Sequence, residues 1–155
     1  MFSEDFNKET DKIIARYPEA RSALLPLLHL IQREKGWVAS ESMEWVAKRL
    51  ELSCAHVEGV VTFYSMYFTK PMGRQVIQLC RTLSCDIRGA QGIRKMIQDQ
   101  LGIAPGETTG DGKFSLIEVE CIGACGTAPA MMIGDELHEN LTPERVGSIL
   151  DKVEE

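Results

Sequence analysis

Hydrophobic residues in the first half of the chain recur with the period of an α-helix. In EARSALLPLLHLIQREKG the apolar positions follow i, i+3, i+4 and i+7, which places them on one helix face. Pro18 stands before this segment and Gly36 after it, where a helix tolerates them. Pro26 lies inside the pattern and predicts a kinked or staggered helix.

Two further segments keep the helical period. SESMEWVAKRL predicts a helix with Ser40 as its N-cap. SCAHVEGVVTFYSMYF predicts another, with Ser53 as its N-cap and apolar positions that continue to Phe68. Aromatic residues cluster from Phe63 to Phe68, and we expect this cluster to pack between the two halves of the chain or to bind a partner protein.

The pattern changes after TKPMG, residues 69–73, which predicts a helical domain over 1–69 and a second domain over 74–155. RQVIQLC and KFSLIEVEC predict strands, and the second is expected to alternate its faces as far as Cys121. A helix is predicted between them, in DIRGAQGIRKMIQDQLG. A strand–helix–strand unit of this length implies parallel strands joined by a right-handed crossover.

The last third of the chain predicts a hairpin and a closing helix. PAMMI and GDELHE are the hairpin strands, turned at Gly134 and Asp135. TPERVGSILDKVEE predicts the helix, with Thr142 as N-cap and Pro143 in the first helical position. The fold class is therefore α/β, with an N-terminal helical domain ahead of a sheet-containing one.

Charge and composition exclude several function classes. A net charge of −6 without a long basic run argues against a nucleic-acid-binding protein. The longest apolar stretch, residues 23–31, is too short to span a membrane, and the acid-rich start does not resemble a secretory signal. We therefore expect a cytoplasmic protein. Five cysteines in a reducing compartment point to metal or redox chemistry before structural disulfides.

Four of the cysteines form two pairs, and each pair follows a predicted strand. Cys80 and Cys85 follow the first strand, and Cys121 and Cys125 follow the second. Because neighbouring parallel strands end at the same edge of a sheet, we expect the four thiols to converge there. Cys54 stands apart and is interpreted as an incidental thiol.

Three kinds of chemistry fit four convergent thiols. A structural zinc site uses four cysteines, although C-x₂-C spacing would be more typical of it. A [2Fe–2S] cluster needs two ligand pairs and nearby backbone amides, which the small residues Gly123, Ala124 and Gly126 would allow to approach. A thiol–disulfide exchanger is the third alternative, but the chain has no C-x-x-C motif.

Other cofactor motifs are missing from the sequence. The three histidines are far from both cysteine pairs along the chain, which gives a Rieske-type site little support. GETTGDGKF, from Gly106, resembles a phosphate loop only loosely, and no G-x-G-x-x-G is present. The sequence therefore predicts no nucleotide site in this chain.

The motifs together closely resemble one family. CRTLSC, CIGACGTAPAMMI, HVEGVVTFYSMY and RYPEARSALLPLLHLIQREKGWV are similar to segments of the thioredoxin-like [2Fe–2S] ferredoxin subunits of NADH:quinone oxidoreductase, which is respiratory complex I. The resemblance extends from about residue 17 to residue 150. The diaphorase subunits of NAD-linked hydrogenases and formate dehydrogenases share these motifs and remain alternatives, as does, in a different class, a zinc-stabilised interaction module.

The resemblance implies a role for each part of the chain. The family's cluster ligands correspond to Cys80, Cys85, Cys121 and Cys125, in a thioredoxin-like domain that carries a cis proline where Pro129 stands here. The N-terminal helices correspond to the segment that binds a larger flavoprotein subunit, which holds FMN and the NADH site. The cluster exchanges single electrons with that flavin, so the chain would be an oxidoreductase subunit that is not catalytic alone.

Two further expectations follow from the same resemblance. The respiratory complex would place the chain on the inner face of the membrane as a peripheral subunit without direct insertion. Amide donors of the Cys121–Cys125 loop, together with positive charge from Arg81 and Arg88, would favour the reduced cluster and raise its potential.

Overall fold

The computed structural model describes residues 2–154 and divides into two compact units. The first ends at Pro71 and the second begins at Met72. The first unit is built from helices, and the second combines helices with a four-stranded sheet. None of the helices in the described part of the chain has the length and apolar character needed to cross a membrane.

The helical unit contains four α-helices. They are α1 (Glu4–Ile14), α2 (Leu24–Lys35), α3 (Ser40–Leu50) and α4 (Cys54–Phe63), with a 3₁₀ turn (Ala20–Ala23) ahead of α2. The apolar stripe predicted for α2 is buried, and it contributes Leu27, Leu28 and Ile31 to a core shared with α3 and α4. Gly36 ends α2 with a φ of 80°, a left-handed conformation that glycine adopts without strain.

The starts of two helices differ from the predicted ones. The helix predicted around Pro26 is divided into the 3₁₀ turn Ala20–Ala23 and α2, so Pro26 lies in the first turn of α2, where backbone N–H groups have no acceptor within the helix. Ser40 is the first residue of α3 instead of its N-cap. Ala39 holds the cap position in an extended conformation, and its carbonyl accepts from Met43 N–H at 3.0 Å. The cap expected at Ser53 is confirmed, because its hydroxyl accepts from His56 N–H at 3.2 Å.

The helix α4 is shorter than predicted. It ends at Phe63, and Tyr64 has φ −89° and ψ 110°, which is extended backbone. The following segment is tied to α2 instead. The Tyr67 hydroxyl donates to the Leu25 carbonyl at 3.1 Å, and Gln32 Nε2 donates to the Met66 carbonyl at 2.7 Å. Burial raises the pKa of Tyr67 to about 12, so this hydroxyl keeps its proton at neutral pH.

The second unit has the strand order β2-β1-β3-β4. Its elements are β1 (Gln75–Cys80), α5 (Leu83–Ile87), α6 (Ala90–Leu101), β2 (Phe114–Val119), a 3₁₀ turn (Cys125–Thr127), β3 (Met131–Ile133), β4 (Glu136–His138) and α7 (Pro143–Glu154). β1 is parallel to β2 and antiparallel to β3, and β3 is antiparallel to β4. The predicted strand–helix–strand unit, the hairpin and the closing helix are therefore confirmed.

Local features of this unit also match the sequence. The bond between Ala128 and Pro129 is cis. The Thr142 hydroxyl accepts from Arg145 N–H at 3.2 Å, as expected of an N-cap. The core lies between the sheet and the helices α6 and α7, and it includes Ile77, Leu116 and Leu150.

The strand β2 departs from its predicted pattern. It ends at Val119, two residues before Cys121. Its first three residues are all buried, so burial does not alternate along this strand as expected. The reason is that Ser115 is covered as well: Gly73 N–H donates to its hydroxyl at 2.7 Å, and the Thr108 hydroxyl lies 2.6 Å away.

Candidate metal centre

The two cysteine pairs are carried by loops that leave the same edge of the sheet. Cys80 is the last residue of β1 and stands opposite Val119, the last residue of β2. Arg81 N–H donates to the Val119 carbonyl at 3.0 Å, which extends this pairing by one step. Cys85 follows on α5, while Cys121 and Cys125 lie beyond β2, the latter at the start of a 3₁₀ turn.

The first pair is buried. Cys80 and Cys85 are 2% and 1% exposed and cluster with Ala90 and Ala128. The Cys80 Sγ atom lies 3.2 Å from the Thr82 hydroxyl. Burial by itself raises the pKa of Cys80. Hydrogen bonds to its sulfur have the opposite effect and outweigh burial, so the pKa is lowered. They come from the Thr82 hydroxyl, the backbone of Thr82, Cys85 and the backbone of Ile122.

The pKa of Cys85 is raised, in contrast to that of Cys80. Burial raises its pKa, and so does the hydrogen bond that it makes with Cys80. Negative charge on Cys80 and on Cys125 adds to the same shift, which places Cys125 near this pair. In the unligated pair, Cys80 is therefore the more acidic of the two thiols.

The second pair is exposed and lies among small residues. Gly123 N–H donates to Cys121 Sγ at 3.3 Å. Gly123 has a φ of 78°, which explains why this position is glycine. Gly126 has an ordinary φ, and a Cβ atom placed there would meet nothing within 4 Å. The space beside this loop is therefore open.

The far end of the second loop is fixed to the sheet. Asn140 N–H donates to the Thr127 carbonyl at 2.6 Å, and the Thr127 hydroxyl donates to the Glu139 carboxylate. Cys80 N–H donates to the Ala130 carbonyl at 3.2 Å, next to the cis bond. The loop is thus anchored at Thr127, while Cys121 and Cys125 remain on its open side.

The residues present fit a two-iron cluster. Within residues 2–154, no three His, Cys, Asp or Glu side chains are grouped closely enough to hold a metal ion. A two-iron cluster takes two protein thiolates for each iron. The chain supplies two thiol pairs, an amide that already donates to sulfur at Cys121, and open space at Gly126. Cys54 belongs to the helical unit, where it is the first residue of α4.

Sequence reasoning missed the charged partners of this site. It expected positive charge from Arg81 without naming a partner, and Arg81 Nε donates to Glu120 Oε1 at 3.0 Å. A similar pair joins Arg94 Nη1 to Glu118 Oε1 at 3.1 Å. The observed register of β1 against β2 brings the residue after Cys80 next to the residue before Cys121, and the sequence alone does not fix this register.

Comparisons with known proteins show the family of the chain. The sequence profile of the thioredoxin-like [2Fe–2S] ferredoxins matches residues 10–154. One NADH-quinone oxidoreductase subunit of Rickettsia bellii is 46% identical over 146 residues, which cover 92% of this chain and 87% of that protein. The equivalent NADH-quinone oxidoreductase subunit of Escherichia coli strain K12 is 40% identical over 136 residues, which cover 88% of this chain and 82% of that protein.

A solved structure shares the fold. The crystal structure of an NAD⁺-reducing [NiFe]-hydrogenase in the air-oxidised state contains a chain that matches with a TM-score of 0.72 at 20% identity. The match covers 84% of this chain and 22% of the hydrogenase chain. At this level of identity the likeness concerns the fold alone.

Proposed function

The chain belongs to the thioredoxin-like [2Fe–2S] ferredoxin family, and from this premise we propose that it is the electron-transfer subunit of an NADH:quinone oxidoreductase. Cys80, Cys85, Cys121 and Cys125 hold one [2Fe–2S] cluster. When bound, such a cluster supplies one-electron transfer. The observation that carries the proposal is the placement of two thiol pairs on loops leaving one edge of the sheet.

The protein's own groups prepare the site for negative charge. Hydrogen bonds from Thr82 and from Ile122 N–H to Cys80 stabilise its thiolate, and Gly123 N–H serves Cys121 in the same way. Amide donors close to ligand sulfurs favour the reduced state of a centre that gains an electron there. Burial of the first pair keeps water away from two of the four ligands.

The chain acts together with a flavoprotein. NADH delivers a hydride, which carries two electrons, whereas a [2Fe–2S] centre accepts one, so a flavin must stand between them. The sequence holds no dinucleotide fingerprint. We therefore assign FMN and the NADH site to a partner subunit and keep this chain as a component that is not catalytic alone.

The helical domain, residues 1–69, is proposed to bind that partner, while residues 74–155 carry the cluster. Phe63 is 79% exposed and Met66 46% exposed, and both adjoin the segment that Tyr67 ties to α2. Exposed apolar side chains on a fixed backbone are typical of an interface. In the assembled complex the chain would be a peripheral cytoplasmic subunit on the inner face of the membrane.

Metal analysis tests the ligand assignment. Protein purified without oxygen should be red-brown and contain about two irons and two sulfides per chain. Replacing any one of the four ligand cysteines with Ser should remove or damage the cluster, whereas the matched control Cys54→Ser should keep it. A colourless protein with one zinc would establish the interaction module instead, and bleaching by Cys54→Ser would refute the ligand set.

Reduction by NADH tests the partnership. The purified chain mixed with NADH should keep its oxidised absorbance, and addition of the flavoprotein should reduce it. Phe63→Ser should weaken binding of the flavoprotein by about tenfold or more without changing the iron content. Rapid reduction by NADH with no flavin present would overturn the assignment. Identification of the proteins that co-purify with the chain separates the respiratory complex from a hydrogenase or formate dehydrogenase.

A further inference from the structure

An ion pair joins the two loops that carry the cysteines. Arg81 directly follows Cys80, and Glu120 directly precedes Cys121. Arg81 donates to Glu120 Oε1 through both Nε, at 3.0 Å, and Nη2. The pair therefore bridges the sheet edge at the point where the backbone pairing of Arg81 with Val119 ends.

The ion pair also sets the net charge next to Cys80 and Cys121. An unpaired Arg81 would add a positive charge next to a ligand, but the Glu120 carboxylate cancels it. Arg94 is matched by Glu118 in the same way, at 3.1 Å. Consecutive Cα atoms are about 3.8 Å apart, so Arg81 and Glu120 both lie within the ~10 Å screening length of the ligands next to them.

We propose that Arg81 and Glu120 are positioning residues, which together hold the two ligand loops in register and keep the surroundings of the cluster electrically balanced. This inference rests on the proposed cluster. The side chains are 55% and 73% exposed, and an exposed pair of this kind contributes little to the stability of a fold. Its effect is therefore expected in the properties of the cluster and not in the melting temperature.

The test compares single, double and exchanged variants of the loaded protein. Arg81→Gln leaves Glu120 unbalanced and should lower the midpoint potential, whereas Glu120→Gln leaves Arg81 unbalanced and should raise it. The double variant R81Q/E120Q should return close to the wild-type potential but lose iron to a chelator faster than wild type. The exchanged variant R81E/E120R restores the bridge and should slow that loss again.

A matched pair elsewhere provides the control. Lys95 and Asp99 form an exposed ion pair at 2.9 Å within α6, and K95Q/D99N should change neither the potential nor the rate of iron loss. The potential shifts of the single variants should also shrink at high salt, because exposed charges are screened.

Three outcomes would overturn the inference. Both single variants could shift the potential in the same direction, all four variants could keep wild-type potential and iron retention, or K95Q/D99N could reproduce the effects. The iron content of the wild-type protein separates this inference from the proposed function. A wild-type protein without iron overturns both, whereas an intact cluster that is indifferent to Arg81 and Glu120 overturns this inference alone.

Discussion

The two cysteine pairs occupy the same edge of the sheet in opposite environments. Cys80 and Cys85 are buried free thiols that are hydrogen-bonded to each other, and Thr82 adds hydrogen bonds to Cys80. Cys121 and Cys125 are exposed on a loop of small residues. The first pair is therefore part of the folded core of its unit, and its position follows from packing. The second pair is placed by a loop that is anchored at Thr127 and has open space beside Gly126.

The largest expected difference between the two cysteine pairs is in their rates of alkylation. In cluster-free protein, iodoacetamide should modify Cys121 and Cys125 much faster than Cys80 and Cys85, because a buried thiol reacts only after local opening. Peptide mapping by mass spectrometry at increasing times gives the four rates. Cys54 is exposed and serves as the internal reference for an accessible thiol. Modification of Cys80 as fast as Cys121 would abolish the distinction between the pairs.

Serine substitutions in the buried pair and in the exposed pair should also differ in their effect on the stability of the cluster-free protein. Cys85→Ser places a more polar hydroxyl in a buried cluster and should lower the free energy of unfolding by ~1–3 kcal/mol. Cys125→Ser, on the exposed loop, should change it by no more than about 0.5 kcal/mol. Urea unfolding of both variants checks this difference. Equal losses would mean that both loops belong to the folded core.

Substitutions of the loop glycines sharpen the comparison further. Gly123→Ala forces a residue with a Cβ into a left-handed conformation and should cost about 1–2 kcal/mol in cluster-free protein. Gly126→Ala has open space around its Cβ and should leave that stability unchanged. If Gly126→Ala nevertheless lowers iron incorporation, the open space is part of the cofactor site. A destabilising Gly126→Ala would contradict the structure of the loop.

The smallest expected effect concerns the acidity of one thiol. Thr82→Val removes the hydroxyl that hydrogen-bonds Cys80, so the Cys80 thiolate should form at higher pH in cluster-free protein. The lost hydrogen bond is worth about 1 kcal/mol. Thiolate absorbance measured against pH gives the shift. Thr82→Ser keeps the hydroxyl and is the control. An unchanged titration would show that the backbone donors suffice.

The sequence predicted the second unit better than the first. The strands around the cysteines are short apolar segments and the helices follow a period of 3.6, bounded by residues such as Gly102 and Pro143. In the helical unit, the period continued past Phe63 although the helix does not. The chain turns there, with Tyr67 N–H donating to the Tyr64 carbonyl at 3.1 Å. Tertiary hydrogen bonds from Tyr67 to Leu25 and from Gln32 to Met66 hold this turn against α2, and no local pattern encodes them.

The candidate site shows the same limit. The position of each cysteine after its strand was readable, because strand ends and parallel pairing are local and topological signals. The sequence did not show that Cys80 is buried and Cys121 exposed, because this difference depends on which residues α5 and Ala128 cover. The bridge from Arg81 to Glu120 needs the register of β1 against β2, which the sequence leaves open.

The parallel pairing of β1 with β2 has a consequence for when the protein can acquire its cofactor. The two halves of the site are separated along the chain by the whole of α6 and the turns before β2. During synthesis, which proceeds from the N-terminus, Cys80 and Cys85 emerge well before their counterparts. With the proposed ligand set, the chain offers only half of a binding site until β2 joins the sheet, so cluster insertion follows the pairing of β1 with β2.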